Sequence, residues 1–468
     1  MKKVLLVVFL AGCFAAPLQA GSRAFSAFVP ILNDTALSDT GNFQIWQDNM
    51  GRFFRGTPVI SGMRYLNGFG GLWVGVLDPL RSRSDTAVSW SYDPYSGQSE
   101  FCPTTPDGDA SRYLDSLARI YKSSIPRDTA QWPERDSSGR AIITSDQELW
   151  TIDNDLGPFM VNPDSAIGVQ VIRRTFAWHS TNDWGDIVKV EFDVKNVTGR
   201  WGGNPHTLPQ VILGISLDAD IGQDSDSSSN DLCFLGRVSG SLYPNLVVQY
   251  QLAQEPGWTI PPPYFFGYRF FVESPKATDT VRVRDSLYFH TILPGEPLGA
   301  TAIKIYYNHP DPQTAFDRYL LLKGMFSPSD TNNAYGGIGG PVDFRFLACC
   351  GPFSLPNDST VRLSFHMFPA LDSVQLWRKA ELLGMETPPG PVSRNAPSTV
   401  RYSSVPNPFT SFATVPGHSA DRFALYDISG RRVGVFKGDR IGEGLRAGVY
   451  FLRAESGGGK PVRVVKVR

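Results

Sequence analysis

The chain has 468 residues, 41% of them hydrophobic and 12% aromatic, with a formal net charge of −1. That length allows two or three domains, and 45 glycines with 36 prolines favour a loop-rich, all-β protein with large cores. Past the N-terminus no apolar run is long enough to cross a bilayer, which excludes an integral helical membrane protein for the mature chain.

In chain order, Met1, Lys2 and Lys3 form a charged start, and Val4 to Leu10 is apolar. Residues 1–20 read as a secretory signal peptide cleaved after Ala20. A rival reading takes Leu10, Ala11, Gly12 and Cys13 as a lipobox with a lipidated Cys13, although the apolar run before it is short.

Residues 21–385 read as a large antiparallel β body of one or two subdomains, with two short helices. The clearest strand is Val188 to Lys195, whose strict apolar/charged alternation predicts one buried and one wet face. Segments 169–178 and 211–217 flank it as the neighbours of an antiparallel meander, turning at Asn196 to Gly199. Further strands fall at 265–272, 302–307, 344–348 and 361–368. One helix is expected over Ala110–Tyr121, with Leu114, Leu117, Ala118 and Tyr121 as its stripe and Asp109 as its N-cap. The other is expected over Asp372–Leu383, closing the body's edge. Export permits a disulfide, and the expectation is at most one, from Cys349 or Cys350 to Cys102 or Cys233.

The sharpest chemical candidate is the acidic run Asp218, Asp220, Asp224, Asp226 and Asp231, which could gather oxygens around one Ca²⁺. Its spacing is not that of an EF-hand, and a solvated acidic loop explains it as well. A catalytic dyad of Asp218 and Asp220 is less favoured, because glycosidase carboxylates flank a bond from two sides. Asp153, Asn154 and Asp155 form a second acidic spot, readable as a polar turn or as a ligand site. The six histidines form no zinc-hydrolase motif, and no nucleophile elbow or phosphate-binding glycine loop occurs. No catalytic or cofactor-binding set is therefore assigned. Trp73, Trp90, Trp178, Trp184, Trp201 and Trp258 admit glycan stacking, against the more ordinary reading of core packing.

Residues 386–400 are a Pro-rich linker, stiff and extended. The tail, 401–468, carries +7 against −8 for everything before it, so the two are distinct electrostatic units. Its bases lack aromatic interleaving, which speaks against nucleic acid as a partner. Strands are expected at 423–426, 431–433, 449–452 and 462–467, with turns at Gly430 and Gly457–Gly459.

The order Val405-Pro406-Asn407-Pro408-Phe409, Phe423 to Val433, Leu445 to Arg453 and Pro461 to Arg468 resembles the C-terminal sorting domain of type IX secretion cargo. The resemblance implies an Ig-like β-sandwich at 401–468, the type IX machinery as partner, and a secreted or outer-surface location. The body resembles a group of uncharacterised secreted proteins with the same tail, through Phe69 to Val76, Ser145 to Trp150 and Phe346 to Leu355. That group has no activity to carry over. The expected role is structural or interactive at the surface, with a glycan or a protein as partner. The alternative is a secreted hydrolase of polysaccharide or protein, recognisable by a cleft with convergent carboxylates of shifted pKa.

Overall fold

The structure is a computed structural model describing residues 34–385 and 408–467. Within these it leaves out 59–65, 81–84, 93–97, 158–165, 180–181, 201–202, 223–230, 239–240, 242, 255–257, 260, 286–287, 307–310, 331–334, 337–340, 342, 344, 416–421, 428–430 and 455–461. The segments expected to be a signal peptide or lipobox and a linker, together with Gly430 and the glycine run 457–459, lie outside the described residues.

The chain is mainly β. It opens with β1 (Thr35–Ser38), β2 (Phe43–Asp48), β3 (Phe53–Pro58), β4 (Leu66–Leu77) and β5 (Thr86–Trp90). There follow β6 (Cys102–Pro103), β7 (Tyr121–Lys122), helix α1 (Pro126–Ala130), β8 (Gln147–Asn154), β9 (Val169–Ala177) and β10 (Val188–Asn196). Next come β11 (Leu208–Ile221), β12 (Asp231–Gly236), β13 (Leu246–Gln251), β14 (Tyr264–Phe270), β15 (Val281–Asp285) and β16 (Tyr288–Ile292). The body ends with β17 (Ala302–Tyr306), α2 (Ala315–Leu322), β18 (Tyr335–Gly336), β19 (Arg345–Leu355), β20 (Thr360–Ala370) and α3 (Ser373–Met385).

Two nine-stranded sheets result. The first runs β1-β2-β3-β4-β11-β19-β17-β18, with β5 also on β4; the second runs β12-β13-β14-β20-β10-β9-β8-β6, with β7 also on β8. They pack face to face through aromatic side chains. Phe53 meets Phe192 and Phe365, Phe43 meets Phe266, and Tyr268 meets Phe346. Each such ring withdraws apolar surface worth about 2–3 kcal/mol from water, which makes this interface the main store of stability.

The expected meander is corrected here. β9 and β10 pair, but β11 belongs to the opposite sheet. The corner between them is held by Asn196, whose Nδ2 donates to Leu355 O at 2.8 Å and whose Oδ1 accepts from Thr198 N at 3.0 Å. The charged face of β10 is not wet either. Arg174 and Arg362 both bind Asp193, at 2.8 and 2.6 Å, and Lys189 bridges Glu191 and Glu273, each at 2.9 Å. Charges on neighbouring strands thus cover one another, and Glu191 and Asp193 are buried.

Among the described residues three helices form rather than two. Of the expected Ala110–Tyr121 helix only a 3₁₀ turn, Ala110–Arg112, exists, capped by Asp109. Beyond it Asp115 takes the amide of Leu117 at 2.9 Å, and Tyr121 leaves to pair with Trp150. Short acidic side chains compete with helix hydrogen bonds in this way. The helix at α3 does form. Its fully buried Lys379 reaches Asp186 at 2.6 Å and Pro369 O at 2.7 Å, fastening it to the body's edge.

None of the four expected cysteine partners forms a disulfide, and all four are buried. The strands that carry them lie in different sheets. Cys102 and Cys233 sit on β6 and β12 at opposite ends of the second sheet, while Cys349 and Cys350 are central in the first.

The tail contributes β21 (Arg422–Tyr426), β22 (Arg432–Lys437), β23 (Gly448–Ala454) and β24 (Val462–Lys466), an antiparallel sheet ordered β22-β21-β23-β24. Phe409, Phe423, Leu425, Ile441, Leu452 and Val464 give it a core of its own. Among the described residues this is one sheet, with Phe409 and Ala413 joined by isolated bridges to Lys466 and Ile441.

Candidate functional site

The long strand β11 carries Asp218 and Asp220 to one end of the first sheet. They stand two residues apart and share a face, while Leu217, Ala219 and Ile221 turn into the core. In register, Asp218 lies beside Phe69 of β4 and Arg345 of β19. The Tyr92 hydroxyl donates to Asp218 Oδ2 at 3.0 Å. Arg345 Nε lies 3.3 Å from that oxygen and 3.5 Å from Asp311 Oδ1, and its Nη2 lies 3.9 Å from Asp343 Oδ2. Asp218, Asp311 and Asp343 thus converge on one guanidinium, with Asp220 beside them.

One positive charge does not offset so many carboxylates. Burial, then the charges of Asp218 and Asp343, push Asp220 up to about 7. Burial also raises Asp218, while Arg345 and the Tyr92 hydroxyl favour its charged form. Burial and the neighbouring Asp218 push the Tyr92 phenol up.

An aromatic surface borders this group. Phe69 is 43% exposed and stacks on Tyr92, with ring centroids 5.6 Å apart and an interplanar angle of 20°. The glycine-rich β4 makes the arrangement possible: a Cβ on Gly71 would lie 2.7 Å from Tyr92 N. On the other side opens a cavity of about 420 Å³, lined by Tyr306, Asp311, Leu321 and Phe326 among others. Asp311 belongs to both the cavity and the Arg345 group.

The sequence candidates divide. Asp218 and Asp220 come together; Asp224 and Asp226 lie outside the described residues. Asp231 has other work: its Oδ2 accepts from Ile221 N at 2.9 Å and from Gln249 Nε2, which also donates to Ala219 O. Among the described residues no three carboxylate, imidazole or thiol groups are placed to hold a metal ion. Asp218 and Asp231 are already engaged by protein donors.

The second acidic spot is sealed between the sheets. Asp155 accepts from Ile167 N at 2.6 Å, Gly168 N at 3.1 Å, Val169 N at 2.8 Å and the Ser89 hydroxyl at 2.8 Å. It is a clasp on the chain entering β9. Asp153 is wholly buried, and burial pushes it up to about 8. Of the tryptophans, Trp201 lies outside the described residues and the other five are buried, so they pack rather than present a face to sugars.

Sequence reasoning missed Phe69, Tyr92, Asp311 and Arg345. Nothing in their local spacing marks them, because only strand register joins positions so far apart in the chain. The chain matches no family model, and no curated protein is similar to it. Among solved structures a polysaccharide lyase is similar at 9% identity and a TM-score of 0.22, over 68% of this chain and 38% of that one. A likeness of that size carries no argument about function.

Proposed function

We propose that this is an exported surface protein that binds an extracellular polymer at the Asp218–Asp220 end of its first sheet. The observation that carries the reading is convergence. Carboxylates from separate segments surround one arginine, an exposed aromatic lies beside them, and a cavity opens alongside. Polar groups for orientation next to an aromatic face are what a glycan requires. The test is retention of the full chain on a panel of insoluble polysaccharides. Wild type is retained by at least one, and Phe69→Ser is not; equal retention of both overturns the reading.

Hydrolysis is a second reading, favoured by one observation. Burial raises both carboxyls, Asp220 to about 7, while Arg345 and the Tyr92 hydroxyl oppose the rise at Asp218. That is the division of labour between acid and base. New reducing ends released by wild type but not by Asp220→Asn would establish it. Export rests on the order of sequence pieces in the tail and on that tail having its own core. Removing 401–468 should leave a folded body in the periplasm, and equal surface signal with and without the tail would contradict the type IX reading.

A further inference from the structure

A second groove lies on the same sheet, away from the acidic end. It has a volume of about 290 Å³ and is floored by β11, β17 and β19. Its walls are the hairpin β15–β16, which pairs with neither large sheet, and the C-terminal end of α2. Three cations line it: Arg282, Arg284 and Lys323. Among the described residues no carboxylate forms an ion pair with any of them. The one acid of the lining, Asp330, is already 3.8 Å from the buried Lys304. Among the described residues the groove therefore carries an uncompensated positive charge, in a body whose overall charge is negative.

Its shape adds to its charge. Val281 and Val283 point into the core and hold β15 in place, so the intervening Arg282 and Arg284 share the other face. In register opposite Arg284 stands Phe289, 66% exposed, with the guanidinium 5.8 Å from its ring centre. An arginine fork matches a carboxylate with two parallel hydrogen bonds. The exposed ring of Phe289 beside it can meet the C–H face of a sugar ring. We propose that this groove binds a carboxylate-bearing polysaccharide, one uronate unit at Arg282 and Arg284 with its ring against Phe289. An acidic peptide offers the charge but has no flat apolar ring face for Phe289.

The groove shares Met325 with the cavity beside the acidic group, while its floor lies further along β11. From Ile212 in its floor to Asp218 is six residues of β11, about 20 Å.

The test uses the full chain and an oligogalacturonate as probe, with polyglutamate as the competing anion. Wild type binds the oligosaccharide. Arg282→Ala with Arg284→Ala weakens binding about ten-fold or more. Phe289→Ser weakens oligogalacturonate but not polyglutamate. Melting curves check that variants fold; should the double arginine variant misfold, Lys323→Ala and Phe289→Ser carry the test. Unchanged affinity in the folded arginine or lysine variants overturns the proposal. So does polyglutamate binding as well as oligogalacturonate with no effect of Phe289→Ser, which would make the partner an acidic protein segment.

Discussion

Asp153-Asn154-Asp155 and Asp218-Ala219-Asp220 have the same spacing and opposite fates. The first pair ends β8, a strand buried along its whole length between the sheets. There Asp155 collects four donors from Ile167, Gly168, Val169 and Ser89 and becomes part of the scaffold. The second pair lies toward the end of β11 on the outer face of its sheet, where its neighbours are other carboxylates and one arginine. Two acids in a sequence are therefore ambiguous. What decides is whether the fold brings backbone amides or further acids to them.

The sharpest break of this comparison is Asp155→Ala. It leaves buried amides of Ile167, Gly168 and Val169 without an acceptor, and each such loss costs about 1–3 kcal/mol. Urea unfolding should show a loss of about 3 kcal/mol or more. A cost below about 1 kcal/mol would mean that Asp155 is no clasp.

Asp220→Asn should act in the opposite direction. The folded state holds the Asp220 proton to about pH 7, against 3.8 for an ordinary aspartate. A raised folded pKa means that the folded state binds the proton more tightly. The associated stability is fully present below about pH 4 and is lost as pH rises toward 7. Asparagine escapes that loss. Allowing for solvent screening of a half-buried group, the variant should be more stable than wild type by roughly 1–2 kcal/mol at pH 8. It should equal wild type near pH 4. A variant less stable at pH 8 would show that Asp220 has a favourable partner.

Phe69→Ser should cost no more than about 1 kcal/mol, since 43% of the residue is exposed. A larger loss in thermal unfolding would turn the ring from a binding surface into a packing element. The smallest expected effect is that of a chelator. Asp218 and Asp231 are compensated by Tyr92, Arg345, Ile221 and Gln249, so EDTA or added Ca²⁺ should leave the melting temperature unchanged. A rise with Ca²⁺ that Asp224→Ala abolishes would restore a cation to the acidic run.

Much of the β architecture was legible because alternation reports which face is buried. Strands β9, β10, β11, β14, β17, β19, β20 and those of the tail fall where apolar alternation or turn residues place them. Alternation does not say which sheet a strand joins, so β11 was expected beside β10 and lies across the core from it. The helix α2 was missed although Thr314 and Asp317 form a readable cap, with Thr314 Oγ1 accepting from Asp317 N at 3.1 Å. Its seat was hidden in the glycines of two strands: a Cβ on Gly75 or Gly214 would strike Leu322 at 2.4 or 2.5 Å. Half of the acidic site was visible as Asp218 and Asp220. Tyr92, Arg345 and Asp311 reach it only through long-range pairing, which local sequence does not encode.

The most direct test of the contrast is a carboxyl ¹³C NMR titration of the aspartates in wild type and Asp220→Asn. A resonance titrating near pH 7, apart from that of the buried Asp153 near 8, should be present in wild type and missing in the variant. If every resolved resonance that titrates does so below about pH 5, or if the resonance near pH 7 persists in Asp220→Asn, the Asp218–Asp220 end is not the poised site argued for it.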